Sequence, residues 1–129
     1  MGNVENIENF IDNPRKLDVF QNAYSSSLKI HKLSMALPKA EQYDLASQLR
    51  RSSKSICANI VEGFAKQSEY PQEFKRFLTI AIGSCEETQL WLQYCLDLGY
   101  ISPENYNELN NEYVIVMKML RSLRNKVKA

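Results

Sequence analysis

The sequence offers a single histidine, His31, as a metal ligand or general base. Four-helix proteins that bind a di-iron centre use Glu-x-x-His pairs on facing helices. Here the residues three positions before and after His31 are Leu28 and Ser34, so that pattern is absent. His31 falls on an apolar stripe that we expect to face inward. We therefore interpret it as a hydrogen-bonded or rim histidine rather than a functional one.

Three cysteines, Cys57, Cys85 and Cys95, form no C-x-x-C motif and are odd in number. Their spacing supports neither a disulfide framework nor a zinc site. Nothing in the pattern places a thiol beside His31, so a Cys–His nucleophile is not expected. A glycine-rich phosphate loop is also absent. The sequence thus predicts a non-enzymatic protein with no cofactor and no metal, and with free thiols in the cytoplasm.

A row of polar residues runs along one edge of the second predicted helix at spacings of four, four, three and four. Its members are Arg51, Ser55, Asn59, Glu62 and Lys66. One interpretation is a solvated edge with weak surface pairs. The other is a buried or inter-subunit hydrogen-bond network in which Asn59 and Glu62 meet an arginine. Glu87, on a flank of the third helix near Ile80 and Trp91, is a candidate additional member.

The last predicted helix ends in a run of bases with no acid. These are Lys118, Arg121, Arg124, Lys126 and Lys128, called here the basic end. Cations in the last turns of a helix favour its dipole and keep the end solvated, which is one explanation. The functional explanation is a patch that binds phosphates of RNA or DNA.

Prolines and glycines divide the chain into four helices of about 20 to 25 residues, with no segment that favours a strand. The predicted boundaries are Asn13-Pro14 and Leu37-Pro38 for helix 1, about Tyr43 to Lys66 for helix 2, Ser68 with Pro71 and Leu98-Gly99-Tyr100 for helix 3, and Ser102-Pro103-Glu104 for the start of helix 4. A glycine inside helix 3, Gly83, is interpreted as a close helix contact. Short turns between four such helices predict an all-α, up-down-up-down antiparallel bundle.

Helix 1 carries two apolar stripes rather than one. The first contains Leu17, Phe20, Tyr24, Leu28, His31 and Met35, and the second contains Val19, Ala23, Ile30, Leu33 and Leu37. A bundle helix needs one apolar face, so the additional face predicts a further partner, in this chain or in another copy.

Length and composition fit one globular domain. The chain has 129 residues, of which 44% are hydrophobic and 24% charged, and its 16 bases and 15 acids give a formal net charge of +1. Bulk charge therefore gives no argument for nucleic-acid binding. The charge is nevertheless uneven, because residues 69–99 carry two bases and five acids, whereas residues 100–129 carry five bases and three acids.

The domain is predicted to span residues 13–129, after a mildly acidic, Asn-rich tail at 1–12 that we expect to be poorly ordered. No apolar stretch approaches the roughly 18 residues that a membrane span needs, so no membrane association is expected.

Several spaced segments in helices 2 and 3 carry a family resemblance. They are Arg50-Arg51, Ser55-Ile56, Asn59-Ile60, Glu62-Gly63-Phe64, Phe74, Arg76-Phe77-Leu78, Ala81, Gly83-Ser84, Glu87 and Leu98-Gly99-Tyr100. With Val19-Phe20-Gln21 and Ser47-Gln48-Leu49, the pattern resembles the bacterial four-helix-bundle family, also called the 23S rRNA intervening-sequence proteins, over about residues 15 to 125. Cys57-Ala58 and Cys85-Glu86 are mild departures from it.

The resemblance implies a bundle that assembles as a ring, expected to be a homopentamer, without established catalytic activity. The family is similar to the accessory variability protein of diversity-generating retroelements, a pentameric barrel that binds a reverse transcriptase and nucleic acid. The marked polar residues of the family correspond to Arg50, Arg51, Asn59, Glu62 and Glu87, to which the resemblance gives a structural or interfacial role.

Together these observations predict a ring-forming accessory protein that binds RNA or DNA, with a reverse transcriptase as a candidate partner. The alternative is a structural oligomeric scaffold whose only partner is a protein.

Overall fold

The computed structural model describes residues 12–128, and within that range it contains helices and turns but no strand. The elements are a 3₁₀ turn Pro14–Lys16, α1 (Asp18–Met35), a 3₁₀ turn Lys39–Glu41, α2 (Leu45–Phe64), α3 (Pro71–Asp97) and α4 (Pro103–Lys126). Apart from Asp12, the predicted N-terminal tail lies outside the described residues, as does Ala129.

Successive helices run antiparallel, because residues late in one helix contact residues early in the next helix. The pairs that show this are Ser34 with Arg50 and His31 with Lys54 between α1 and α2, Ser52 with Thr88 and Ser55 with Ser84 between α2 and α3, and Gln93 with Tyr106 and Gln89 with Asn110 between α3 and α4. α4 then packs back against α1, where Ser26 donates a hydrogen bond to Glu112. The predicted up-down-up-down four-helix bundle is confirmed.

The start of α1 differs from the prediction. The Asn13 side chain accepts a hydrogen bond from the Arg15 backbone N–H at 2.9 Å, but it caps only the short 3₁₀ turn. Leu17 is extended, with φ −67° and ψ 134°, and its side chain is buried. This extended residue interrupts the helix that Asn13-Pro14 predicted, so α1 begins at Asp18.

The boundaries of the other helices are close to the predictions, with one exception. Ser68 does not cap α3, because the turn after α2 continues to Tyr70, which is the N-cap residue and precedes Pro71. Gly99 has φ +79°, and the Tyr100 N–H reaches the Cys95 carbonyl at 2.8 Å, so the predicted glycine C-cap is confirmed. The other ends are α2 at Leu45–Phe64 and a Ser102 cap on α4 whose Oγ accepts from the Asn105 N–H at 3.1 Å.

The inward face of α1 is the second stripe of the sequence pattern, not the one that contains His31. Ala23 and Ile30 are fully buried, and Ser26, Ser27 and Ser34 are buried beside them. Serines thus occupy core positions on this helix, and of the first stripe Leu17 and Phe20 are buried while Tyr24, Leu28 and Met35 are exposed. The expectation that His31 faces inward is wrong, since it lies half-buried beside Lys54, with Nδ1 3.1 Å from the lysine Nζ.

The close approach of α2 to α3 is at Gly63 rather than at Gly83. A Cβ on Gly63 would lie 2.8 Å from Phe77 Cβ and 2.9 Å from Phe74 Cδ1, so the missing side chain is what lets α2 meet α3 there. Gly83 is exposed, and a Cβ there would meet nothing within 4 Å. The expectation of a close contact at Gly83 is therefore wrong.

Candidate functional site

Two members of the predicted polar row form a hydrogen-bonded seam between α2 and α3. Asn59 Nδ2 donates to the Ser55 carbonyl at 2.8 Å and to Ser55 Oγ at 3.0 Å. Ser55 Oγ in turn lies 2.9 Å from Ser84 Oγ. The seam is half-buried and ends within the bundle. It joins two helices of one chain, and no arginine of the described residues takes part in it.

Arg50 closes the turn between α1 and α2. Its Nη2 donates to the Gln42 carbonyl at 2.9 Å, and its Nη1 reaches Ser34 Oγ at 3.1 Å and Gln42 Oε1 at 3.2 Å. Gln42 Nε2 donates to the carbonyls of Ser34 and Leu37, both at 2.9 Å. The sequence did not predict these partners, because Gln42 lies in a turn whose conformation no periodic pattern indicates.

Of the remaining residues of the row, Arg51 and Glu62 point to solvent within one chain, and Lys66 is half-buried. Arg51 and Glu62 are exposed, and neither makes a hydrogen bond or ion pair with another residue in 12–128. Glu87 lies on α3, where it accepts a hydrogen bond from Trp91 Nε1 at 3.2 Å. The predicted meeting of Asn59, Glu62 and an arginine does not occur inside the described chain, and a contact between copies stays a prediction.

The basic end lies beside the turn between α2 and α3. Lys118, Arg121, Lys126 and Lys128 are exposed. Arg124 is half-buried and donates to Thr79 Oγ1 of α3 at 3.3 Å. Lys126 and Lys128 line a hollow with Gln67 and Ser68 of that turn. Lys126 and Lys128 therefore lie at this end of the bundle, and Lys118, Arg121 and Arg124 lie along the second half of α4 that leads to it.

Two helices carry apolar side chains that the bundle leaves exposed. The α1 face consists of Tyr24, Leu28 and Met35, and the α3 face consists of Ile80, Leu90, Tyr94 and Leu98. Together they hold seven of the ten large hydrophobic residues exposed in 12–128, whereas α2 has none and α4 has only Ile115. The sequence pattern identified the stripe of the α1 face but placed it inward, and it did not predict the α3 face, although Ile80, Glu87, Trp91, Tyr94 and Leu98 recur at helical spacing.

The thiols and the buried tyrosine have environments that favour their neutral forms. Burial raises the pKa of Cys57 and Cys95 to about 11 and that of Cys85 to about 12, which opposes thiolate chemistry. Burial also raises the pKa of Tyr113, whose hydroxyl has no hydrogen-bond partner among the described residues.

Neither a metal centre nor a membrane span is found in residues 12–128. No group of three or more His, Cys, Asp or Glu side chains there is arranged to hold a metal ion. None of the helices is long and apolar enough to cross a bilayer.

An open groove of about 600 Å³ lies between α1 and α2, lined mainly by Phe20, Tyr24, Cys57 and Val61.

Comparison with known proteins gives a family match and a structural match that agree with each other. The sequence pattern of the family described as 23S rRNA-intervening sequence protein matches residues 15–122. A crystal structure of a protein with unknown function from the S23 ribosomal protein family of Bacteroides thetaiotaomicron is 29% identical, with a TM-score of 0.76. That match covers 84% of this chain and 96% of the other. No curated protein matches the chain.

Proposed function

The chain belongs to the 23S rRNA-intervening sequence protein family, and from that premise we propose that it is a non-enzymatic, self-assembling accessory protein that binds nucleic acid through its basic end. The family name connects its members with ribosomal RNA, so structured RNA is the first candidate ligand. Single-stranded DNA handled by a reverse transcriptase is the second.

The observation that carries this proposal is the separation of charge along α4. Its acids, Glu104, Glu108 and Glu112, lie in the first half of the helix, and all its bases lie in the second. Nucleic-acid affinity comes mainly from Lys and Arg that neutralise phosphates and release counterions. A cluster of exposed cations without acids on the same helix segment suits that task even in a chain of formal charge +1.

Self-assembly as a ring would multiply the effect of this charge. Copies related by rotation about one axis would all present the basic end toward the same side. A pentamer would then display five such ends on one surface, where each bound phosphate adds to the affinity. We propose no catalytic role, because burial raises the pKa values of the three thiols and the single histidine, His31, lies beside Lys54.

A salt titration of binding tests the proposal. Binding of a structured RNA and of a single-stranded DNA to the full chain is followed by fluorescence anisotropy from about 50 to about 200 mM salt. Affinity is expected to fall linearly on a log–log plot. Charge reversal at Arg121 and Lys118 (Arg121→Glu, Lys118→Glu) should weaken binding and lower the slope by about 1 for each phosphate that the variant no longer neutralises.

Lys39→Glu is the matched control. Lys39 is exposed in the α1–α2 turn, at the end of the bundle opposite the basic end, and its reversal changes the net charge equally. Equal weakening in the control and in Arg121→Glu would contradict a localised site. Absence of binding at low salt would overturn the proposal in favour of an oligomeric scaffold with a protein partner only.

A further inference from the structure

The α1 and α3 faces differ in charge as well as in location. Between Val19 and Leu37 the chain has two lysines and a histidine but no acid, and one of the lysines, Lys29, is paired with Glu112 of α4 at 2.7 Å. Lys32 is exposed on α1 one turn after Leu28, and Arg50 Nη1 lies 3.7 Å from the sulfur of Met35. The α1 face is therefore apolar, with Lys32, Lys54 and Arg50 around its Leu28–Met35 part and one acid, Glu62, at its Tyr24 end.

The α3 face has the opposite surround. Between Phe77 and Ser102 the chain has three acids, Glu86, Glu87 and Asp97, and no base, whereas Arg76, one turn before Ile80, is paired with Glu73 at 3.1 Å. All three are exposed, and Glu87 accepts a hydrogen bond from Trp91, whose ring lies 5.7 Å from that of Tyr94. This face is apolar with an acidic surround.

We propose that the α1 face of one chain docks on the α3 face of a second copy. This inference rests on the proposed self-assembly and names its surfaces. Pairing of two α1 faces would bring bases against bases, and pairing of two α3 faces would bring acids against acids. The unlike pairing buries both apolar stripes, and it is the pairing that also places opposite charges together.

The unlike pairing has a consequence for symmetry. An interface between two different surfaces of the same chain is heterologous, so each copy keeps one α1 face and one α3 face for two different neighbours. Such an interface closes into a ring when the rotation between copies divides a full turn. The assignment therefore accounts for a ring rather than for a two-fold dimer.

The role of several polar residues follows from this arrangement. Glu87 and Arg50, which bond within the chain, also border the two docking faces. They would contribute charge at the rim of the contact. Glu62, which lines the Tyr24 end of the α1–α2 groove, lies beside the same α1 face.

Two variants that each block one face test the inference. Leu28→Arg disables the α1 face, and Leu90→Arg disables the α3 face; both residues are about half exposed, so circular dichroism should show an unchanged fold. In sedimentation velocity each variant alone is expected to be a monomer of 14.9 kDa. An equal mixture should form a dimer of twice that mass, because each partner supplies the face that the other lacks.

The control is Ile115→Arg, which places the same charge at an exposed apolar residue of α4 and should leave assembly unchanged. A wild-type chain that is monomeric would overturn the proposed self-assembly itself. A wild-type assembly that persists in both single variants would overturn the assignment of faces while self-assembly stands. A dimer formed by either variant alone would show like pairing and overturn the heterologous contact.

Discussion

The hydroxyl oxygens of Ser52 and Thr88 lie 2.9 Å apart in the buried contact between α2 and α3. Thr88 Oγ1 also lies 2.9 Å from the Ser84 carbonyl, whereas Thr88 is the one partner of Ser52 Oγ among residues 12–128. A polar pair therefore crosses the core between these two helices.

Replacement of Thr88 by valine is expected to destabilise the protein by about 1–3 kcal/mol, because it leaves the Ser52 hydroxyl buried without its partner. The double variant Ser52→Ala/Thr88→Val should cost less than the sum of the two single changes. Urea unfolding followed by circular dichroism measures both. Ser122→Ala, at an exposed position of α4, is the control and should change the unfolding free energy by less than about 0.5 kcal/mol.

Gly63→Ala and Gly83→Ala are expected to act in opposite directions. Alanine improves helix propensity at both sites by about 1 kcal/mol. At Gly63 the added methyl would clash with Phe77 Cβ and Phe74 Cδ1, so overpacking by about 1–3 kcal/mol should prevail. At Gly83 the space is open, and stability should rise. Thermal melts measure the melting temperature of each variant relative to the wild type. A higher melting temperature for Gly63→Ala would contradict the close helix contact.

Arg50 and Arg51 are adjacent but should respond differently to lysine. Arg50→Lys removes the planar group that reaches both Ser34 and Gln42, with an expected loss of about 1–3 kcal/mol and faster proteolysis of the turn between α1 and α2. Arg51→Lys is its matched control, with an expected change below about 0.5 kcal/mol. Equal effects in urea unfolding would show that the hydrogen bonds of Arg50 to the turn do not stabilise the fold.

Tyr113→Phe is expected to leave stability unchanged or raise it by about 1 kcal/mol. The hydroxyl is buried without a partner in residues 12–128, so its removal relieves a desolvation cost and leaves the ring packing intact. Tyr113→Leu is the comparison, since it changes ring shape as well. A loss above about 1 kcal/mol for the phenylalanine variant would indicate a hydrogen bond to a buried water molecule.

Alkaline pH is expected to destabilise the bundle. Burial raises the pKa of the three thiols from the ordinary value of 9.0 to about 11 for Cys57 and Cys95 and about 12 for Cys85. The folded chain thus keeps protons that the unfolded chain has lost, so the unfolding free energy is highest below about pH 9 and falls as pH rises through the folded values. Urea unfolding between about pH 7 and 10.5 measures the slope. Cys57→Ala should make it shallower, and a flat profile would contradict the burial of the thiols.

The helices could be predicted because local chemistry decides where they end. Pro103 with Ser102 and the Gly99 cap specify the backbone whatever packs around them. The start of α1 was missed because Asn13 and Pro14 are equally suited to a 3₁₀ turn, and the burial of Leu17 selects the extended residue that follows. The inward side of α1 was missed because buried serines there hydrogen-bond to their own helix, which composition does not reveal.

The candidate sites also fall into two groups: those that local sequence indicates and those that depend on tertiary structure. Clusters that are contiguous in sequence, such as the basic end, could be identified directly. Arg50 was singled out as a polar residue of interest, but its partner Gln42 lies in a turn and depends on tertiary structure. The α3 face could have been found from its helical spacing, yet its exposure depends on which side of α3 turns toward α2.

The even number of antiparallel helices places both ends of the described chain on the same side of the bundle. Asn22 Nδ2 lies 3.2 Å from Met119 Sδ, near the start of α1 and the end of α4, while Tyr100 donates to Glu41 at 2.8 Å between the two turns of the far end. A label attached near Asp12 or Lys128 would therefore lie on the side of the basic end. Labels meant to leave that side clear belong in the far turns, where Tyr43 is almost completely exposed.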